Sequence, residues 1–122
     1  IEMSEGVARY VMALFDLNHE GKPPTQAKLA RELEVSQPSA LQMVRRIREM
    51  GLISKDDLSL TPQGMSAALV LTSRRTAARD LTHEVLGLDP AEAQAEAEHL
   101  ASSATPAFGR KLVAWRARAR RG

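Results

Sequence analysis

The polar residues that follow Val35 are of the types that proteins use to contact DNA. Serine and glutamine form hydrogen bonds with base edges, proline can contact a thymine methyl group, and arginine neutralises phosphates. The residues in question are Ser36, Gln37, Pro38, Ser39, Gln42, Arg45 and Arg46. Their density over one short stretch indicates sequence-dependent contact with double-stranded DNA.

Two short helices joined by a tight turn would position these side chains. Thr25 can cap the first helix, residues 34–36 form the turn, and Ser36 can cap a second helix over residues 37–50. Apolar residues at spacings of three and four should face the other helices; they are Ala40, Met43, Val44, Ile47 and Met50. The pattern predicts a helix-turn-helix, whose second helix enters the major groove. Thr25 and Gln26 are further candidate DNA contacts.

The remaining elements predict a mainly α protein with two domains. Residues 4–17 form a first helix, and residues 52–60 form a short β-hairpin wing with Lys55, Asp56 and Asp57 at its tip. Glycine and proline signals then predict helices over residues 62–86, 90–102 and 107–119. The predicted winged helix-turn-helix domain covers residues 1–61, and a helical dimerisation domain with a basic C-terminal helix covers residues 62–122.

Composition excludes several other classes of protein. The chain of 122 residues is 43% hydrophobic and 26% charged, has no cysteine, and carries a formal net charge of +2. It therefore has no disulfide framework or thiolate metal site. No apolar run approaches a membrane span and no signal peptide is apparent, so we expect a cytoplasmic protein. No acid, base and nucleophile converge in a motif, so we expect no enzyme.

The motifs resemble those of a known regulator family. LARELEVSQPSALQMVRRIREMGLI at 29–53, SLTPQG at 59–64 and VLGLDPAEAQAEAEHL at 85–100 are similar to the iron- and manganese-dependent repressors of the diphtheria toxin repressor family (DtxR/MntR). The resemblance covers residues 4–112. It implies a homodimeric repressor on a palindromic operator, base contacts from Ser36, Pro38 and Gln42, and phosphate contacts from Ser39 and Arg46. The family's optional third domain would be absent.

The same resemblance implies a Mn or Fe site, where this chain departs from the family. In register on Gly87-Leu88-Asp89 and on SSATP, the first-helix ligands fall at Gly6 and Arg9 and the long-helix ligands at Arg75 and Arg79. The third set falls at Glu98, Ala101 and Ser102. Only Glu98 can ligate a cation, although a shift of three residues would bring Glu98 and His99 onto the family's Glu-His pair.

Several alternatives follow for control of the protein. Arg9, Arg75 and Arg79 could pair with Glu98 and other carboxylates in place of the metal, could bind an anionic effector, or could be solvated surface residues. A metal-dependent repressor with a rearranged site at Glu98 and His99 is a second alternative. A winged-helix interaction module that does not bind DNA is a third. The C-terminal arginines either stay in solvent or touch DNA phosphates.

Overall fold

Local capping side chains set the helix boundaries of this chain. In a computed structural model that describes residues 3–21 and 23–122, the hydroxyls of Ser4, Thr25, Ser36 and Thr105 and the carboxylate of Asp89 accept backbone N–H bonds at helix starts. The helices are α1 (Glu5–Asn18), α2 (Gln26–Leu33), α3 (Gln37–Glu49), α4 (Pro62–Glu84), α5 (Pro90–Ser103) and α6 (Pro106–Arg121). The mainly helical fold predicted from the sequence is confirmed.

Two compact units divide the chain inside α4, as Ile1–Leu69 and Val70–Gly122. In the first unit, α1 packs on α2 and α2 packs on α3. Leu14, Leu29 and Ile47 have no exposed surface and are among its largest fully buried side chains. The α2 to α3 turn places Glu34 in the left-handed region at φ 56°. This packing fixes the orientation of α3 and therefore the side that it presents to solvent.

The predicted β-hairpin wing is not confirmed. Within the described residues, the segment that follows α3 has a single antiparallel bridge between Ile53 and Leu60, and the Ser54 N–H donates to the Ser59 carbonyl at 2.9 Å. Leu52, Ile53 and Leu58 of this segment are buried. We call residues 54–59 the wing loop.

The start of α4 lies close against the residues before the wing loop. The Thr61 hydroxyl accepts the Gly64 N–H at 3.0 Å, and the Thr61 N–H donates to the Leu52 carbonyl at 3.1 Å. A Cβ atom at Gly64 would overlap the Leu52 carbonyl oxygen. Only glycine therefore permits this approach of the two backbones.

The second unit has a core of small side chains. Ala77, Ala78, Ala97 and Leu112 form its buried cluster, with Leu81 and Leu100 packed against them. Gly109 of α6 lies against Arg74, whose guanidinium occupies the space that a Cβ atom at position 109 would need. Alanine and glycine allow helix backbones to approach closely, so the helices of this unit can pack together with few large side chains between them.

One predicted packing position is wrong. Met50 is 45% exposed, because α3 ends at Glu49 and the chain turns away through Gly51 at φ 80°. Phe108 is 44% exposed, whereas Leu112 is buried and Trp115 is half-buried.

None of the helices in the described part of the chain combines the length and the apolar character that a membrane span requires.

Candidate nucleic-acid interface

The exposed side of α3 carries the side chains predicted to contact DNA. Ala40, Val44 and Ile47 are fully buried on the opposite side, so the helix cannot rotate without losing its core contacts. The predicted contacts that are exposed are Ser36, Gln37, Pro38, Ser39, Gln42, Arg45 and Arg46. Pro38, Gln42 and Arg45 follow one another at spacings of four and three and thus share one face.

The hydroxyls of Ser36 and Ser39 differ in their hydrogen-bond partners within the protein. Ser36 Oγ accepts the Ser39 N–H at 3.2 Å and forms a hydrogen bond with Ser39 Oγ at 2.9 Å. Ser36 Oγ thus has two hydrogen-bond partners in the protein and Ser39 Oγ has one. Because hydroxyl hydrogens rotate, either serine can donate in the pair and leave the other hydroxyl to donate to an acceptor such as a phosphate. Ser36 therefore starts α3 and orients Ser39.

The two candidates at the start of α2 also differ. Thr25 is exposed and its Oγ1 accepts the Lys28 N–H at 3.1 Å, which orients the first turn of the helix. Gln26 is half-buried, and its Oε1 atom is buried without a hydrogen-bond partner in residues 3–21 and 23–122. That oxygen does not face solvent, so a contact from Gln26 to DNA would come from its amide nitrogen.

Two residues of the exposed side were missed from the sequence. Leu41, 39% exposed, is a large apolar side chain beside Gln42, and it could contact a thymine methyl group. Glu49 lies one turn beyond Arg45 and is exposed. It places negative charge at the C-terminal end of this face. The available signal for Leu41 was its position between Ala40 and Val44, which lie four residues apart on the buried side of the helix.

Arg48 is turned toward the wing loop. Its Nε donates to the Ser54 carbonyl at 2.7 Å and its Nη2 donates to the Asp57 carbonyl at 2.9 Å. The carboxylate of Asp57 bonds within the loop, accepting the Ser59 N–H at 2.9 Å as well as the Ser59 hydroxyl. These hydrogen bonds lower the pKa of Asp57, the Ser59 hydroxyl contributing most. The loop is therefore held in place although it lacks a β-ladder.

Comparison with known proteins identifies the family. The sequence model described as "Iron dependent repressor, N-terminal DNA binding domain" matches residues 2–57. The diphtheria toxin repressor of Corynebacterium glutamicum is 34% identical over 99 residues, which is 76% of this chain and 43% of that protein. This chain belongs to the diphtheria toxin repressor family.

A second curated relative and one solved structure are also similar to this chain. The iron-dependent repressor IdeR of Mycobacterium tuberculosis is 32% identical over 83% of this chain and 46% of that protein. The chain thus spans less than half the length of these curated relatives. The structure of the manganese regulator SloR has the same fold, with a TM-score of 0.76, 20% identity, and coverage of 94% of this chain and 54% of that one.

The positions at which the family resemblance implies metal ligands do not fit a bound cation. Arginine has no lone pair available for a metal and its positive charge opposes one. Arg75 Nη1 lies 3.2 Å from Glu98 Oε1, and Gln94 Nε2 donates to the same oxygen at 2.9 Å. His99 is exposed. In the described part of the chain, no three His, Cys, Asp or Glu residues are grouped as a metal site would require.

The three candidate arginines have different surroundings. Arg9 is exposed in the first unit. In the second unit, Arg75 pairs with Glu98, whereas Arg79 is half-exposed and lies 3.5 Å from Asp80. The pairing of Arg75 with Glu98 occurs as the sequence suggested. A common cluster of all three arginines remains a prediction.

The sequence also missed an ion-pair group that joins α6 to α4. Asp80 has a side chain only 12% exposed, and its Oδ2 accepts from Arg116 Nε at 2.6 Å and from Arg120 Nη2 at 2.7 Å. Arg120 also pairs with Glu84 at 2.8 Å. The spacing of four on each helix was the available signal. Arg116 and Arg120 are therefore not the freely solvated arginines expected of the C-terminal helix.

Proposed function

We propose that this chain is a sequence-specific DNA-binding repressor that acts in the cytoplasm as a homodimer on a palindromic operator. The observation that carries the proposal is the exposed side of α3, on which polar and basic side chains face solvent while Ala40, Val44 and Ile47 fix the helix from behind. Family membership supports it, because the named relatives are repressors. Such a protein works by binding and has no need of catalytic residues.

Selection from a randomised DNA library tests the proposal directly. DNA retained by the purified chain is sequenced, and we expect enrichment of one motif with two inverted half-sites. The separation of the half-site centres should be one helical turn of DNA, about 10 base pairs, or a multiple of it. A library that shows salt-sensitive retention but no enriched motif would contradict sequence-specific binding.

Gln42 provides the sharpest test of the recognition helix. A glutamine amide can form paired hydrogen bonds with one adenine, so Gln42→Ala should reduce discrimination at one base pair per half-site by about 1 to 3 kcal/mol. Gln94→Ala is the matched control, because Gln94 is exposed on α5 and outside α3. Unchanged base preference in the Gln42 variant would place the major-groove contact elsewhere.

Exposed apolar side chains of the second unit support assembly with a second copy. Val85 is 59% exposed and Leu86 is 63% exposed in the turn that follows α4. Exposed apolar patches of this kind commonly mark interfaces. Sedimentation equilibrium should give twice the chain mass of 13.3 kDa, and Leu86→Glu should shift the equilibrium toward the single chain. A monomer at the concentrations that bind DNA would exclude the dimer.

We further propose that DNA binding does not require Fe or Mn. The donor groups support this, because the resemblance implies a metal ligand at Arg75, and this arginine instead pairs with Glu98. Operator binding should be equal in chelator and in added Mn(II) or Fe(II). Binding lost in chelator and restored by the metal would instead favour a rearranged site. Glu98→Gln and His99→Ala would then abolish the restoration.

A further inference from the structure

Arg48 occupies the last turn of α3 but does not point in the direction expected of a phosphate contact. Its guanidinium donates to the carbonyl oxygens of Ser54 and Asp57 at 2.7 and 2.9 Å. These two carbonyls flank the tip of the wing loop, so only Lys55 and Asp56 lie between the anchored residues. One side chain of the recognition helix therefore fixes both sides of the tip.

The remaining contacts of the loop leave Lys55 as its outward cation. The Asp57 carboxylate folds back onto Ser59, and the Asp56 N–H donates to the Ser54 hydroxyl at 3.3 Å. Lys55 is exposed at the tip. Asp56 is exposed as well. Its negative charge repels phosphates, so we expect a single phosphate contact at the tip, from Lys55.

We propose that Arg48 is a positioning residue for DNA binding, which holds the wing loop at the end of α3 so that Lys55 meets a DNA phosphate. This inference rests on the proposed function. Arg48 Nε and one Nη2 hydrogen are occupied by the Ser54 and Asp57 carbonyls, and in this inference the guanidinium is held there and neutralises no phosphate itself. Its effect on affinity passes through Lys55, whereas Arg45 and Arg46 act on DNA directly.

A double-mutant cycle on operator affinity as a function of salt concentration tests the coupling. Loss of one phosphate contact lowers the slope of log affinity against log salt by about 0.9. The affinity lost between about 50 and about 200 mM salt then becomes about threefold smaller. We expect this change for Lys55→Ala and for Arg48→Ala, with no further change in the double variant. Arg46→Ala is the matched control and should add its full effect to that of Lys55→Ala.

Amide hydrogen exchange of the free protein supplies a second measurement. Arg48→Ala should speed exchange of the Ser54 and Ser59 N–H groups, which bond within the loop, while the N–H groups of buried α3 residues such as Ile47 keep their protection. Arg48→Lys should restore the loop only in part, since an ammonium group lacks the planar fork that spans both carbonyls. Asp56→Asn should tighten operator binding at low salt.

The outcomes separate this inference from the function on which it rests. Additive effects of Arg48→Ala and Lys55→Ala on the salt slope would mean that Arg48 touches a phosphate itself, which overturns the inference alone. An unchanged slope in Lys55→Ala would place the tip away from DNA and would also overturn it. Absence of salt-dependent DNA binding by the unaltered chain would overturn the proposed function and the inference together.

Discussion

The two compact units of this chain are stabilised by different means. The first buries large aliphatic side chains, including Leu14, Leu29 and Ile47. The second buries alanines around Leu112 and connects α4 to α6 through Asp80 and two arginines. Burial of large side chains depends little on salt or pH, whereas ion pairs depend on both. The unit that presents the recognition helix should therefore withstand conditions that weaken the other unit.

A cavity in the first unit should produce the largest effect. Ile47→Ala removes a fully buried side chain and should lower the free energy of unfolding by about 3 kcal/mol. Loss of α3 packing should also weaken operator binding. Leu41→Ala, on the exposed side of the same helix, should change stability by less than about 0.5 kcal/mol. Denaturant unfolding followed by circular dichroism measures both, and equal losses would show that α3 is packed differently.

Added volume, rather than a cavity, should break the second unit. Ala97 has no exposed surface between close helices, so Ala97→Leu should cost about 2 kcal/mol through overpacking. Ala95→Leu lies on the exposed side of α5 and should be nearly neutral. The single tryptophan, Trp115, lies in this unit and its fluorescence reports the transition. A neutral Ala97 variant would mean that the alanine cluster contains unfilled space.

Acid should weaken the second unit first. Burial alone would raise the pKa of Asp80, but the hydrogen bond and charge of Arg116, with the charges of Arg120 and Arg79, bring the pKa below its ordinary value. A lowered folded-state pKa means that the stabilisation is present above about pH 4 and is lost as the pH falls through the folded-state value.

Asp80→Asn isolates this contribution to stability. The variant should lower the free energy of unfolding near neutral pH by about 2 kcal/mol, between the values for exposed and buried ion pairs. Below about pH 4 it should also reduce the pH dependence of the free energy of unfolding, which Trp115 fluorescence measures. Asp56→Asn, at the exposed wing tip, is the control. A variant that kept the full acid sensitivity would assign it to other carboxylates.

The smallest effect is expected from Arg75 and Glu98, the pair at positions where the resemblance implies metal ligands. Glu98 is about half exposed, so Glu98→Gln should change stability by less than about 1 kcal/mol. Glu96→Gln on the same helix is exposed and serves as the control. Thermal unfolding in low and in high salt measures the difference, which should shrink with salt. A much larger loss would show that this pair, like Asp80, helps to hold the second unit together.

Local signals predicted more of this molecule than long-range ones. Thr25 and Ser36 were identified as caps because each one bonds within its own first turn. The exposed side of α3 followed from helical spacing for the same reason. Partners distant in sequence were missed: Asp80 and Arg116 are brought together only by the packing of α6 on α4.

The wing shows the same limit at a shorter range. A hairpin was predicted from the flanking apolar residues, but the loop is held by an arginine that precedes it on a helix. Helical spacing could not indicate that the guanidinium of Arg48 turns back to the following segment. The arginines at positions where the resemblance implies metal ligands, in contrast, were identified from residue types alone.

Gly64 determines how freely this part of the chain can vary. The obstacle to any side chain there is the Leu52 carbonyl oxygen, which is backbone and cannot be removed by repacking or by a compensating substitution. In saturation mutagenesis, position 64 should therefore reject every alternative residue while the exposed Gln63 beside it accepts most of them. The glycine of the Leu-Thr-Pro-x-Gly motif thus records a steric requirement of the backbone, so a homologous chain without it must enter its long helix along a different path.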